Sequence, residues 1–479
     1  LIVFNILLFT RNRATNVLAI ILVLFFEIGG TSSRVISVLS KAGVCMSYKT
    51  VERLKARLSA DAIQLAVNRI HSGQIFCMIF DNVNLYVRKA EQRLSNRNSM
   101  IHATNAAILA LPNANTSAED LQSYHALRGK RKNAGPSDIK LTKEDDVQLD
   151  KAFRALIAQM IVAYSPNSRK WPKYQEMREM VSQLTPDIRP LPVQATESFP
   201  LGVFDVDEGS KAGLVKMMKA LQEKSGLTEE EFSGKARIIQ GDWLTVNNLR
   251  AAQKDRNDDV NSMERMDYAV PHSALWHYGL NATHMLTKAH LGHAVRDPGS
   301  ILHHKDLLRR NWDINSPNYA AVKSLVRHSL IGRILYSPSI QEVLDLAKRI
   351  TKEFTSTAAA ASAQDKGDDW LARSILFMRD VLLFCKFESA VSNANAGRVL
   401  HVLKYWAYGF RGAGLNNYAR ECLEVLMKWK YELSESLRNA LEQSWFVNRR
   451  GLPGCWIAAD LYVEQLNFWV KVSKKNTSY

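Results

Sequence analysis

With 479 residues, 46% of them hydrophobic and 23% charged, the chain is long enough for roughly two to four domains and too apolar to be disordered or fibrous. A formal net charge of +16 favours an acidic polymer as partner, nucleic acid being the commonest, although an anionic membrane surface would satisfy the same charge. Five widely separated cysteines (Cys45, Cys77, Cys385, Cys422, Cys455) form no CxxC, which excludes a disulfide framework or zinc ribbon and fits a reducing compartment.

In chain order, Leu1 to Phe9 and Val17 to Phe26 are apolar runs separated by TRNRATN. Ten residues at about 1.5 Å each span only half of a roughly 30 Å hydrocarbon core, so no membrane crossing is expected. Arg11 and Arg13 ahead of an apolar run imitate a signal peptide, but no A-x-A site follows. A buried helix of an N-terminal bundle is expected instead. The opening Leu in place of Met reads as a fragment or a misplaced start.

Ser32 to Leu58 outlines two helices: an apolar stripe through Val35, Ile36, Val38 and Leu39, a stop at Gly43, and an N-cap at Ser47 for YKTVERLKARL. Val51, Leu54 and Leu58 would face inward while Lys49, Arg53, Lys55 and Arg57 face out. As a helix-turn-helix, the second helix would enter a DNA groove with these cations toward phosphates; as an ordinary helical hairpin, they would simply be solvated. Both readings are open. Residues 1–60 carry eight Lys or Arg against two acids, which weights this end toward a polyanion.

QIFCMIF (74–80) and MIHATNAAILAL (100–111) read as paired strands. Residues 113–146, with GKRKNAGPSD, read as a loop with scope for mobility, and 149–164 and 174–184 as helices. Residues 189–200 hold three prolines and read as extended or linker-like. A helix over 211–225 then precedes a second strand, ARIIQ (236–240), and another helix runs over 246–254. From Pro271 onward the pattern is nearly all helical, with 355–366 of low complexity.

Each strand-like run leads into an acid, Asp81 in FDNVN and Asp242 in QGDWLT. Ligands collect at strand ends in α/β sheets, and carboxylates from adjacent ends can hold two divalent ions about 3.5–4 Å apart, as phosphoryl chemistry requires. The plainer alternative is that each Asp starts a turn or caps the next helix. Seven of the twelve histidines fall within residues 272–304; His277 and His284, seven apart, share a helical face suited to a metal, to a groove, or to ordinary packing. Farther on, Glu421 begins a helix after the glycine-rich GFRGAGLNNY, either as a third carboxylate for Asp81 and Asp242 or as a complement to the helix dipole. Glu388 and Glu424 are near alternatives.

Taken together, FDNVN, HATN, GDWLTVNNLRAAQ, VPHSALWHY, AGRVLHVLKYWAYGFRGAGLNNYARECLEVL and RGLPGCWIAADLYVEQLNFWVK resemble a family of fungal proteins, a domain of unknown function abundant in transposon-rich genomes. The resemblance spans about Arg11 to Lys474. Its arrangement is similar to a DDE-type transposase of the RNase H-like fold, which implies Asp81, Asp242 and Glu421 as catalytic metal ligands. Trp243 departs from the Gln that the family's pattern leads one to expect.

The expected protein is therefore mixed α/β and predominantly helical. Residues 1–70 form a helical, helix-turn-helix-like region. An RNase H-like core occupies 71–270 with a helical insertion over 113–234, and a helical region over 271–479 completes it. Asn82, Asn84, His102 and His277 are expected around the acids, Mg²⁺ or Mn²⁺ as cofactor, DNA as partner, no membrane, and a nuclear location. The chain would cleave or transfer DNA strands or be a diverged inactive copy; the alternative is a non-catalytic nuclear DNA-binding or interaction protein.

Overall fold

The structure is a computed structural model describing residues 2–87, 97–314, 317–335 and 343–475. The fold is mixed α/β and predominantly helical, with 21 helices among the described residues around a five-stranded sheet. Its strands are β1 (Phe76–Val87), β2 (Ser99–Ala110), β3 (Ser198–Phe204), β4 (Arg237–Gly241) and β5 (Ala269–Ser273), in the spatial order β3-β2-β1-β4-β5. β1, β2 and β3 run antiparallel in succession, whereas β4 is parallel to β1 and β5 to β4. Two further two-residue strands, β6 (Phe446–Val447) and β7 (Ile457–Ala458), pair with each other.

Alternation along β1 explains its unbroken apolar run. Cys77 and Ile79 join one core and Phe76, Met78 and Phe80 the other, so over Phe76–Phe80 both faces are buried and every position is apolar, whereas beyond Asp81 one face turns polar and exposed. On the first face lie helices Lys143–Tyr164, Asp369–Ser392 and Ala396–Gly412; on the second, Tyr48–His71, Lys211–Ser225 and Trp243–Asp255. The final helix among the described residues, Ala459–Lys475, lies across β1.

Three expectations need correction. Residues 113–234 are not purely helical, because the proline-containing 198–204 stretch is β3; Pro200 is tolerated there since β3 is an edge strand bonded only to β2. The helical reading from Pro271 onward fails at its start, because Pro271 lies within β5, the opposite edge. That edge is covered: Trp445 Nε1 donates to Ser273 O at 2.9 Å and Lys428 Nζ donates to Pro271 O. Finally, GKRKNAGPSD is tied down by short 3₁₀ turns and by Arg131, which pairs with Glu432 at 2.6 Å and Glu424 at 2.9 Å.

At the N-terminus, helix Ser33–Lys41 and helix Tyr48–His71 give the helix-turn-helix outline, with Ser47 capping the second through Thr50 N at 3.3 Å. The small core beneath them is Val23, Ile36, Cys45 and Val51. The second helix does not stop near Leu58. It runs on until Ala66 and Ile70 join the sheet's second core, so one rigid rod couples the N-terminal region to β1. Neither of the two preceding helices, Ile2–Arg11 and Val17–Ile28, is the buried helix expected: Phe9, Ala19 and Val23 are buried, but Val3, Phe4, Leu7, Val17 and Phe25 are exposed. Among the described residues no helix is long and apolar enough to cross a membrane, and all five cysteines are free.

Candidate functional site

β1 and β4 pair in parallel with Cys77 opposite Ile238, Met78 opposite Ile239 and Ile79 opposite Gln240. Extending that register by two residues sets Asp81 level with Asp242, where β4 gives way to helix Trp243–Asp255. Asp242 does cap this helix, its Oδ1 accepting from Thr245 N at 2.8 Å. Capping engages one oxygen and leaves the other available, so the structural and chemical readings of this residue are compatible.

Helix Ala459–Lys475 brings a stripe of polar side chains to the same place. Asp460, Glu464 and Asn467 stand at i, i+4 and i+7, one face of the helix. Asn467, fully buried, donates its Nδ2 to Asp81 Oδ2 at 3.0 Å and accepts from Asn105 Nδ2 at 3.0 Å, which fixes the orientation of the Asp81 carboxylate. Asp460 receives Trp276 N at 2.9 Å, His277 N at 3.2 Å and His277 Nδ1 at 3.0 Å, so it caps helix Trp276–His290 and holds the imidazole.

A further acid arrives from the turn after β3. Glu208 is buried, and both its oxygens accept from the Thr245 hydroxyl, at 2.8 and 3.0 Å. Gly213 makes this turn possible: a Cβ there would come within 1.7 Å of Asp207 O. Gly213→Ala should push the 207–209 turn off its seat and cost about 1–3 kcal/mol, read as a lower urea midpoint; an unchanged midpoint would show the turn to be freely adjustable.

The electrostatics follow from crowding acids in a dry place. Burial, then Glu464 and Asp242, push the Asp81 carboxyl up to about 7. Burial also pushes Glu208 up to about 8, with Asp242 and Asp81 adding to it. His277 moves to about 9: burial opposes its charge, but the bond to Asp460 and the nearby Asp242 and Asp81 outweigh that, making it a cation at neutral pH. Asn82, which leaves the other face of β1 toward the Glu208 turn, has a buried Oδ1 with no hydrogen-bond partner.

Glu421 plays a different part from the one expected. Its carboxylate is buried in a two-pronged pair with Arg250, both contacts at 2.6 Å, and so belongs to the packing of its helix against Trp243–Asp255. Glu388 is bound by Lys323 and the Tyr319 hydroxyl, and Glu424 by Arg131. The late acid whose charge bears most on Asp81 is Glu464, on the helix that lies across β1. Asn84 and His102 are cross-strand neighbours bonded to each other at 2.8 Å, exposed and on the face of β1 opposite Asp81. His272 is walled in by Trp429 and Trp445, and His284 is half-buried beside Lys288, so neither joins His277. Of the four basic residues on helix Tyr48–His71, Lys49 and Arg53 are exposed, Arg57 lies 3.9 Å from Asp61, and Lys55 is held by Glu27 at 2.9 Å and Glu52 at 2.7 Å. Among the described residues no three His, Cys, Asp or Glu side chains are arranged to hold one metal ion.

The fold and site thus define an α/β protein with an acidic centre where two parallel strands lie side by side, Asp81 midway along β1 and Asp242 just past the end of β4. Residues 128–479 match the Family of unknown function (DUF6589), and the chain belongs to that family. The matched region contains Glu208, Asp242, His277, Asp460 and Glu464; Asp81 and the basic helix precede it. No curated protein and no solved structure matches the chain.

Proposed function

We propose that this protein is a transposase-like, metal-dependent phosphoryl-transfer protein acting on DNA, with an RNase H-like sheet and Asp81, Asp242 and Glu464 as its carboxylates. The level placement of Asp81 and Asp242 on adjacent parallel strands, opposite an acid from the helix that crosses β1, is the observation that carries this. The strand order, three antiparallel strands followed by two parallel to the first, supports it.

The donors suit a hard divalent cation: carboxylate oxygens whose mutual repulsion a cation would relieve. When bound, Mg²⁺ or Mn²⁺ would supply activation of a water or 3′-hydroxyl and stabilisation of the leaving oxygen. The chain's own residues do the rest. Asn467 orients Asp81, Thr245 holds Asp242 and Glu208, and protonated His277 places positive charge beside Asp242 and Asp81. The excess of basic side chains holds the strand by its phosphates, and a DNA substrate places the protein in the nucleus.

Supercoiled plasmid with Mg²⁺ or Mn²⁺ should be nicked by the wild type and not by Asp81→Asn. Cutting undiminished in that variant would sink the proposal. A second reading, a diverged copy that binds DNA without cutting it, is favoured by the absence of a ready-made three-ligand set among the described residues. Both readings assign DNA contacts to helix Tyr48–His71. Replacing Lys49, Arg53 and Arg57 by Ala should weaken binding and make the slope of log affinity against log salt shallower by about three; an unaltered slope would move the contacts elsewhere.

A further inference from the structure

Away from the acids, helices Ile301–Leu307, Tyr319–Ile334 and Asp369–Ser392 enclose an open cleft of about 550 Å³. Among the described residues its lining holds His304, Arg310, His328 and Arg333 and no carboxylate. Arg333 forms the floor and is anchored: Nε donates to Ser374 Oγ at 3.1 Å, Nη1 to Ser329 O at 3.1 Å and to Ser329 Oγ, and Nη2 to Gly299 O. Of the five guanidinium N–H groups, one on Nη2 is left over. Phe377 lies under the guanidinium at 4.2 Å.

No carboxylate of the described residues forms an ion pair with Arg333 or Arg310, and nearby Asp297 sits 3.9 Å from Arg373 instead. A half-buried cation held in no direct ion pair is costly, and burial pulls the Arg333 guanidinium down to about 10 although Asp297 nearby acts in the opposite direction. Above it stands Trp370, 55% exposed. Its indole fits so closely over residue 299 that a Cβ on Gly299 would lie 3.0 Å from Trp370 Nε1. An exposed aromatic ring held in place beside two cations that form no direct ion pair among the described residues suits a ligand that is both planar and anionic.

We propose that this cleft binds a nucleotide, its base on Trp370 and its phosphate between Arg310 and Arg333. The chemistry is the same for a free mononucleotide and for one unit of a single strand. It does not rest on the acidic centre, and Asp81→Asn should leave it intact.

Calorimetric titration of the full chain with thymidine 5′-monophosphate, thymidine and inorganic phosphate, together with fluorescence anisotropy of a labelled oligothymidylate, tests it. The monophosphate should bind, with thymidine and phosphate each much weaker. Trp370→Ala should weaken it about fivefold or more, and Arg310→Glu should weaken it in a salt-dependent way. Gly332→Leu is the control against misfolding: a Cβ there meets nothing within 4 Å, and Leu favours a helix over Gly, so it fills the cleft without straining the fold. Binding by the monophosphate alone identifies a free nucleotide, and binding by the oligonucleotide as well identifies a strand. Thymidine or phosphate binding as tightly as the monophosphate, no binding by either nucleotide form, or wild-type binding by both Trp370→Ala and Gly332→Leu overturns the proposal.

Discussion

Without divalent ions, Asp81→Asn should be more stable than the wild type at pH 8, and the advantage should vanish as the pH falls to about 4. The folded protein holds the Asp81 proton up to about 7, against an ordinary value of 3.8, so it binds protons more tightly than the unfolded chain does. Stability from this group is complete below the ordinary value and is lost as the pH rises through about 7. Glu208, moved from 4.5 to about 8, has the same sign, as does His277, whose contribution is complete below 6.5 and lost through about 9. The total for Asp81 is on the order of several kcal/mol.

The difference between variant and wild type is the quantity to measure, by urea midpoints across pH. Buried Lys386 and Lys428, both lowered to about 7 by burial, contribute with the opposite sign and obscure the raw curve. Adding Mg²⁺ at about a hundred times its dissociation constant should stabilise the wild type by about 2.7 kcal/mol and leave Asp81→Asn unmoved. A flat difference curve would mean that Asp81 does not carry the repulsion of the acid cluster. An equal Mg²⁺ response in both proteins would remove Asp81 from any metal site.

Glu421 and Glu464 should separate cleanly in a paired experiment. Glu421→Ala strips the half-buried Arg250 of its buried partner and should cost about 3 kcal/mol, with a matching fall in the urea midpoint. Glu421→Ala combined with Arg250→Met should recover part of that loss, since the stranded charge is gone. Glu464→Gln should do the reverse, relieving repulsion on Asp81 at neutral pH while abolishing the Mg²⁺ response. If Glu421→Ala left stability untouched and removed the Mg²⁺ response, Glu421 would be the third acid after all.

The strands that carry the two aspartates are legible in the sequence because both faces of β1 over Phe76–Phe80 and all of β4 are buried, which writes short, mostly apolar runs leading into an acid. The Ser47 cap and the amphipathic helix after it are legible for the same local reason. β3 and β5 are hidden by Pro200 and Pro271, since proline argues against a strand until the strand is known to be an edge. The Asp460, Glu464, Asn467 stripe is present in the sequence at helical spacing. Nothing local says that this helix, among all the others, lies across β1.

By itself the sequence determined which segments are helix or strand wherever burial imprints a period, and that Asp242 follows a strand end; Asp81, expected at one too, lies midway along β1, because the strand continues to Val87 with one polar, exposed face. Only the tertiary structure decided which charges act on one another: Glu464 pushes up the Asp81 carboxyl from 383 residues away in the chain (464 − 81), while Glu421 pairs with Arg250. Periodicity records whether a residue is buried. It carries no record of what the residue is buried against, because any partner of suitable polarity leaves the same local pattern.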